Sequence, residues 1–401
     1  MRELVEGMMN VRQFKLGLRR SVSAAALFSL AMATGCRAQK PWPLWTSYAA
    51  QYLDQQGRVI DHAAVDKTTS EGEAYALFFA LVNNDRPHFD KLADWTENNL
   101  AGGDLTQHLP AWSWGKAEDG SWRVLDPNSA TDADLWMAYA FCEAGRLWHV
   151  DRYSTLGATM ARRIAQQEVV GLPSGSTVMI PGPQGFHPEP TVWYVNPSYM
   201  PPPLLEYFAR QDPQGPWGQV LASLPEVVRT PGGFAMDWMA TGENGIAASA
   251  PPNVVAALAA DQKAPPPVGS YDAIRVYLWA GLADSHTPHV AQVISSLQGM
   301  ANLMAAGAIT PPLKVGADGV VLDANSPPGF SAAIIPFLEA SGHKDTARAQ
   351  RMRLAATLDS TTGLYGKSGM YYDQNLALFS LGYAEGRFHF DSNGQLRIKW
   401  K

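Results

Sequence analysis

Cysteine is nearly absent: the 401-residue chain has two, Cys36 and Cys142. Two such residues exclude a disulfide framework and any metal site built on paired cysteines. Histidine does not fill the gap, because His108, His187 and the others show no ligand spacing, so neither metal nor cofactor is expected. An excess of positive charge is lacking as well. The formal charge of −6 and pI near 5.8 offer nothing to nucleic acid or to an anionic membrane surface. No fixed-period repeat runs along the chain, which argues against a solenoid. The glycine-rich stretches lack the strand-to-helix setting of a phosphate loop. The apolar run at 21–34 is too short to span a bilayer easily, so no transmembrane segment is expected in the mature chain.

That run follows a basic region, Arg12, Lys15, Arg19 and Arg20, and residues 1–38 are expected to be an export segment rather than part of the fold. Ala33-Thr34-Gly35-Cys36 resembles a bacterial lipoprotein box with Cys36 as the lipidated residue. Cleavage after Ala38 is the rival and would leave a soluble exported protein. Arg19-Arg20 fits a twin-arginine signal poorly, because the residues after it do not match, and Met8 or Met9 is an alternative start. Every version makes the protein exported, periplasmic or secreted. Cys142 falls in an apolar helix, where it acts as a small hydrophobe.

What is present is apolar and aromatic. The 46% hydrophobic content is ample for a large core, and 13 tryptophans are many for this length. An excess of tryptophan along a cleft is how proteins stack on sugar rings. From Pro41 onward, helical patterns alternate with short turns rich in proline, glycine and asparagine. Helices are expected near 42–54, 71–84, 87–100, 132–148, 151–168, 200–211, 216–227, 271–283, 287–306, 330–341, 344–357 and 373–386. Segments apolar on every side alternate with amphipathic ones, as an antiparallel helical hairpin repeated about six times and closed into a ring would require. Extended segments are expected at 176–180, 313–322 and 388–399, the last as a terminal hairpin around Ser392-Asn393-Gly394. The proline-rich stretches 181–190, 197–203 and 250–267 do not have the character of linkers, so 39–401 is taken as one domain.

Three of the apolar helices open with acids. In SYDAIRVYLWA (270–280), Asp272 and Arg275 lie three apart and share a face with Val276 and Trp279. TTSEGEAYALFFALV (68–82) opens with Glu71. SATDADLWMAYAFCEAGRLW (129–148) opens with Asp132 and Asp134. Helix capping explains one acid each: Ser70 and Glu73 have capping-box spacing, Asp134 can answer Thr131, and Asp272 follows Ser270. Capping does not explain acids at the head of three otherwise buried helices. If the helices run parallel, those carboxylates converge, and a pair of carboxylates with separated pKa values is what hydrolysis of an acetal needs. A helix N-terminus and Arg275 favour an ionised base at Asp272. The same helix effect works against Glu71 as the acid unless burial or a neighbouring carboxylate overrules it.

The segments TTSEGEAYALFFAL, LPAWSWGK, NSATDADLWMA, NPSYMPP, SYDAIRVYLW, GFSAA and YYDQNLALF together resemble glycoside hydrolase family 8, in particular its branch associated with bacterial cellulose synthesis. They occur in order over nearly all of the mature chain. The resemblance implies an all-α fold, an (α/α)6 toroid of six inner and six outer helices with a small peripheral β-hairpin region. It implies an endo-β-1,4-glucanase that inverts configuration, with Glu71 as general acid and Asp272 as general base. Asp132 would hold the distorted sugar, Arg275 and Tyr199 would help fix Asp272 and its water, and Trp112 or Trp114 would stack on a glucose ring. Tyr372 is a further substrate contact, with Tyr371 as its rival. The implied partners are a β-1,4-glucan and a cellulose synthase or secretion complex, with the chain itself a monomer. Chitosanase, lichenase or xylanase activity is the alternative within the family. A non-catalytic glucan-binding subunit is the alternative outside it, though that would not need Glu71 and Asp272 together. Asp237-Trp238 in GGFAMDW serves either substrate contact or packing, and the loop 250–267 is specific to this lineage.

Overall fold

Helices apolar on every side must be buried on every side, and six such helices form the inside of this protein. The computed structural model describes residues 41–242, 245–258, 262–367 and 369–400. The expected export segment, with Cys36 and both cleavage points, lies outside the described residues. In chain order the helices are α1 (Pro43–Tyr52), α2 (Ser70–Val82), α3 (Arg86–Leu100), α4 (Thr131–Trp148), α5 (Asp151–Gln167), α6 (Pro202–Gln211) and α7 (Trp217–Val227). Then come α8 (Pro252–Ala256), α9 (Ala273–Leu282), α10 (Val290–Ser296), α11 (Gln298–Ala305), α12 (Pro328–Ala340), α13 (Lys344–Ala355) and α14 (Tyr371–Ala384).

The inner ring runs α2, α4, α6, α9, α12, α14, each packed on the next, and Phe379 of α14 closes it against Phe78 and Phe79 of α2. Outside, α3, α5, α7, α10 with α11, and α13 each follow and cover an inner helix, while α1 covers α14. This is the expected (α/α)6 toroid. Outer helices carry a one-sided stripe, as in α5, where Tyr153, Leu156, Gly157, Met160, Ala161 and Ile164 are its buried residues. Inner helices are buried around most of their surface: every residue of α9 is buried, and in α6 all but the last three. The middle of the ring is aromatic. Phe379 lies 5.0 Å from Tyr75, 4.7 Å from Phe79, 4.8 Å from Trp136 and 5.0 Å from Trp279, ring centre to ring centre.

Loops at both ends of the ring carry small antiparallel sheets. The three expected extended stretches contain Thr177–Met179, Lys314–Gly316 with Val321–Asp323, and the terminal hairpin of Phe388–Phe390 with Leu396–Ile398. Three sheets were not anticipated: one is the two-stranded pair Leu358–Asp359 with Leu364–Tyr365, and the other two are three-stranded. Thr68–Thr69, Ser113–Lys116 and Trp122–Asp126 form one of these, and Tyr194–Val195, Met239–Gly242 and Gly245–Ala248 form the other. Their strands are short: in each, a local hairpin is joined by a two-residue strand from far along the chain, Thr68–Thr69 or Tyr194–Val195, too brief to leave a pattern.

Two helix expectations are corrected. The single helix expected at 287–306 breaks at Leu297 into α10 and α11. The cause is tertiary: Gly299 donates its N–H to the Gly233 carbonyl (3.0 Å), and a Cβ on Gly299 would lie 2.0 Å from the Gly232 carbonyl oxygen. The loop 250–267 contains the short helix α8. Among the described residues no helix is long and apolar enough to cross a membrane.

Because Phe379 joins four inner helices, Phe379→Ala is expected to cost about 3–5 kcal/mol in urea unfolding. Met352→Ala, on exposed α13, should stay within about 0.5 kcal/mol. Equal effects would show that the aromatic centre is not what holds the ring together.

Candidate active site

The inner helices are parallel, and hydrogen bonds tie their N-terminal ends together. Glu71 and Asp132 are the second residues of α2 and α4, Asp272 immediately precedes α9, and Arg275 lies in the first turn of α9. Arg275 is buried across this end. Its Nη1 donates to Glu71, to Asp132 Oδ2 at 3.0 Å and to the Tyr75 hydroxyl at 3.4 Å. Its Nη2 donates to Asp272 Oδ1 at 2.8 Å and to Ser198 Oγ at 3.0 Å. Ser198 and Tyr199 belong to the short turn Pro197–Tyr199 ahead of α6, and the Tyr199 ring lies 5.6 Å from the guanidinium carbon. On the far side, Asp373 of α14 accepts the Gly329 N–H at the start of α12 (3.0 Å). Tyr372 beside it donates to the Tyr271 carbonyl at 2.6 Å.

The capping roles read from sequence are filled differently. Thr69, not Ser70, caps α2 through the Gly72 N–H. Glu73 is buried and accepts the Val59 N–H at 2.7 Å, so there is no capping box with Ser70. Thr131 donates to the Ile180 carbonyl (2.6 Å) instead of meeting Asp134. Asp134 is buried beside Glu168, which accepts from Ser129 at 2.5 Å. Asp272 occupies the cap position of α9, but its side chain makes no capping bond. For Glu73 and Thr131, a partner distant in sequence outbids the local one.

One guanidinium serves three carboxylates, and that imbalance sets the protonation of the site. Burial pushes the Glu71 carboxyl up to about 7; Arg275 opposes this, while Asp132 and Asp272 add to it. Burial therefore overrules the helix-terminus effect that counted against Glu71 as an acid. Burial also raises Asp132, against the pull of Arg275. Exposure is graded across the three: the Asp132 side chain is 4% exposed, Glu71 21% and Asp272 34%. Asp272 is thus the carboxylate most open to water.

The aromatic candidates separate. Trp114 is half-buried and enclosed, with Trp95 edge-on at 5.4 Å, Trp122 stacked at 5.2 Å and Arg58 over its ring at 4.5 Å. Trp112, also half-buried, has Lys67 at 4.1 Å from its ring centre. Tyr371 is buried against Tyr48 and Tyr52, with its hydroxyl pressed on Gly72, whereas Tyr372 faces Tyr271. Three residues at this end were missed or left open. Ser198 contacts Arg275, and only the NPSYMPP segment hinted at it. Tyr271 is 49% exposed and packs edge-on against Phe330 and Tyr372. Asp237 accepts the Ser270 and Ala273 N–H groups, both at 2.8 Å, and is pushed up to about 7 by burial and then by Asp272. Trp238 stacks on Phe186 at 5.9 Å.

The chain is similar to known proteins over most of its length. The model of the family described as Glycosyl hydrolases family 8 matches residues 18–386. An endoglucanase of Xanthomonas axonopodis pv. citri (strain 306) is 42% identical over 365 residues, 90% of each chain. An endoglucanase of Escherichia coli (strain K12) is 39% identical over 363 residues, 90% of this chain and 91% of that one. The crystal structure of an endo-1,4-D-glucanase from Vibrio fischeri ES114 superposes with a TM-score of 0.80 at 35% identity, covering 90% of this chain and 99% of that chain.

Buried and half-buried carboxyls with raised pKa values make stability depend on pH. Glu71, Asp237 and Glu168 are each raised to about 7 and Asp373 to about 6. Unfolded carboxyls titrate near ~4, so from about pH 4 to 7 the folded chain binds more protons than the unfolded one. Their contribution is complete below ~4 and is lost as pH rises through 6 to 7. The melting midpoint is therefore expected to be higher at pH 5 than at pH 8, and Glu168→Gln should flatten the decline. A midpoint that rises from pH 5 to 8 would contradict the raised values.

Proposed function

The chain belongs to glycosyl hydrolase family 8, and from that premise we propose that it cuts internal β-1,4 bonds of a glucan by single displacement, inverting the anomeric carbon. The observation that carries the reading is the bridge made by Arg275 between a carboxyl raised to about 7, Glu71, and a more open carboxylate, Asp272. In the proposed reaction Glu71 gives its proton to the leaving glycosidic oxygen. Asp272 accepts a proton from the water that attacks the opposite face of the sugar, so the C–O bond breaks as a new one forms. Arg275 and Tyr199 fix Asp272, and Asp132 holds the sugar at the cleavage point. Trp112 and Tyr372 contact neighbouring sugars; Trp114 supports the Trp112 segment from within. The endo mode and the 1,4 linkage are supported by the relatives named endoglucanase and endo-1,4-D-glucanase. The physiological part of the proposal is that the glucan is cellulose handled during its synthesis and export, outside the cytoplasm. Residues 1–38 support export; mass spectrometry of the mature N-terminus should find either a diacylated Cys36 or a start at Gln39. Recovery of the intact chain from the cytoplasm would reject both.

Glu71→Gln and Asp272→Asn are each expected to lower turnover on a soluble β-1,4-glucan by at least about 10²–10⁴-fold, with substrate binding retained. Proton NMR of the first product should show the α-anomer; a β-anomer would overturn single displacement. Because Glu71 must be protonated, kcat/KM should fall as pH rises through about 7, an apparent value shared by the coupled carboxyls. A profile flat to pH 9 would remove Glu71 from the acid role.

A further inference from the structure

The residue proposed as base occupies a position that normally has another task. The N-cap side chain of a helix accepts one of the free N–H groups of the first turn. Asp85 does this for α3, accepting the His88 N–H. Asp272 does not: its backbone is already helical (φ −77°, ψ −50°), and its side chain turns to Arg275 at 2.8 Å. Ile274 and Arg275 send their N–H groups to the Ser270 and Asp272 carbonyls, which leaves the Ala273 N–H. Asp237 takes it. One oxygen, Oδ1, accepts Ala273 N–H on one side of Asp272 and Ser270 N–H on the other, both at 2.8 Å.

Asp237 is itself held from three directions. Its N–H donates to the Val268 carbonyl (2.9 Å), and the Tyr277 hydroxyl of α9 accepts the Ala235 N–H (2.8 Å). The third hold is contact: a Cβ on Gly269 would lie 2.1 Å from the Ala235 carbonyl oxygen, so only glycine lets the two segments close this far. The segment 235–237 and the residues around Asp272 therefore form one rigid unit.

We propose that Asp237 is the positioning residue for the general base: it caps α9 in place of Asp272 and clamps the backbone on both sides of it, which frees the Asp272 carboxylate for the reaction. This rests on the reading of Asp272 as base. It assigns Asp237 no contact with substrate and no proton transfer. Since misplacing a reacting group by about 1 Å costs on the order of 10²-fold, loss of the clamp should appear in kcat.

The test compares purified full-length variants on a soluble β-1,4-glucan, with folding checked by thermal melting. Asp237→Ala is expected to lower kcat about 10- to 100-fold, with KM changed less than about 3-fold. Asp237→Asn keeps an acceptor oxygen and should recover most of that loss. Asp237→Glu keeps the charge but shifts the acceptor by one methylene, and should lose kcat; it serves where the alanine variant does not fold. The decisive readout is azide, a small anion that attacks the anomeric carbon without needing Asp272, forming C–N as the glycosidic C–O bond breaks and Glu71 protonates the leaving oxygen. In an Asp272→Asn background, Asp237→Ala should change the azide-supported rate less than about 3-fold, because a residue acting through Asp272 has nothing left to act on. If Asp237→Ala lowers the azide rate as much as it lowers the parent's hydrolysis, the role is general support and the proposal fails. It also fails if Asp237→Asn is as inactive as Asp272→Asn, which would make the carboxylate itself part of the reaction, or if Asp237→Glu turns over at the parent rate. Near-normal turnover of Asp272→Asn alone would instead reject the base assignment.

Discussion

One buried guanidinium among three carboxylates is the constraint on which this site depends. Taking ions out of water costs several kcal/mol each, repaid only by close, well-aligned partners. Arg275 supplies such partners to Glu71, Asp132 and Asp272, but one positive charge cannot balance three negative ones. The remaining imbalance is relieved most readily by keeping a proton. Burial and neighbouring charge place it on Glu71, whose carboxyl stays protonated to about 7. The interaction that ties three helices together therefore also sets up unequal carboxyls within reach of one another.

That arrangement is possible because the inner helices are parallel. Their N-terminal ends bring partial positive charge to the side where the acids gather, offsetting part of the repulsion among them. The rest of each inner helix supplies apolar and aromatic surface that fills the ring, with Phe379 at the centre. A rigid middle matters to the open end, because each polar side chain there sits within the first turn of a packed helix or just ahead of it. Trp279 shows the link directly: its ring lies in the aromatic core, and its Nε1 donates to the Ser198 carbonyl at 2.9 Å, fixing the turn that holds Ser198 and Tyr199.

The helix ends also show how the clustered acids are released from capping duties. Thr69 caps α2, leaving Glu71 free for Arg275. Asp132 keeps a local bond, to the Ala133 N–H at 2.8 Å, with one oxygen and meets Arg275 with the other. At α9 the cap comes from Asp237, a residue of another loop, so that the side chain of Asp272 is not spent on its own helix. Three helices thus solve the same problem with a neighbouring residue, a divided carboxylate and a borrowed one.

Much of this was legible in the sequence. The alternation of all-apolar and one-sided helices determined the ring, because hydrophobic period is local and burial follows from it. Acids at the head of apolar helices pointed to Glu71, Asp132 and Asp272 meeting at one end, since burying three carboxylates apart from any partner is costly. What the sequence did not determine was whom each group would meet. Ser70-x-x-Glu73 and Thr131-x-x-Asp134 have capping spacing, yet Val59 and Ile180 claim Glu73 and Thr131. The break at Leu297 is invisible locally because it follows from Gly299 pressing on the 232–233 loop. A helix terminus argued for a lowered Glu71, and burial reversed the sign. Periodicity and side-chain polarity are written residue by residue, whereas hydrogen-bond partners and desolvation belong to neighbours that only the folded chain brings near.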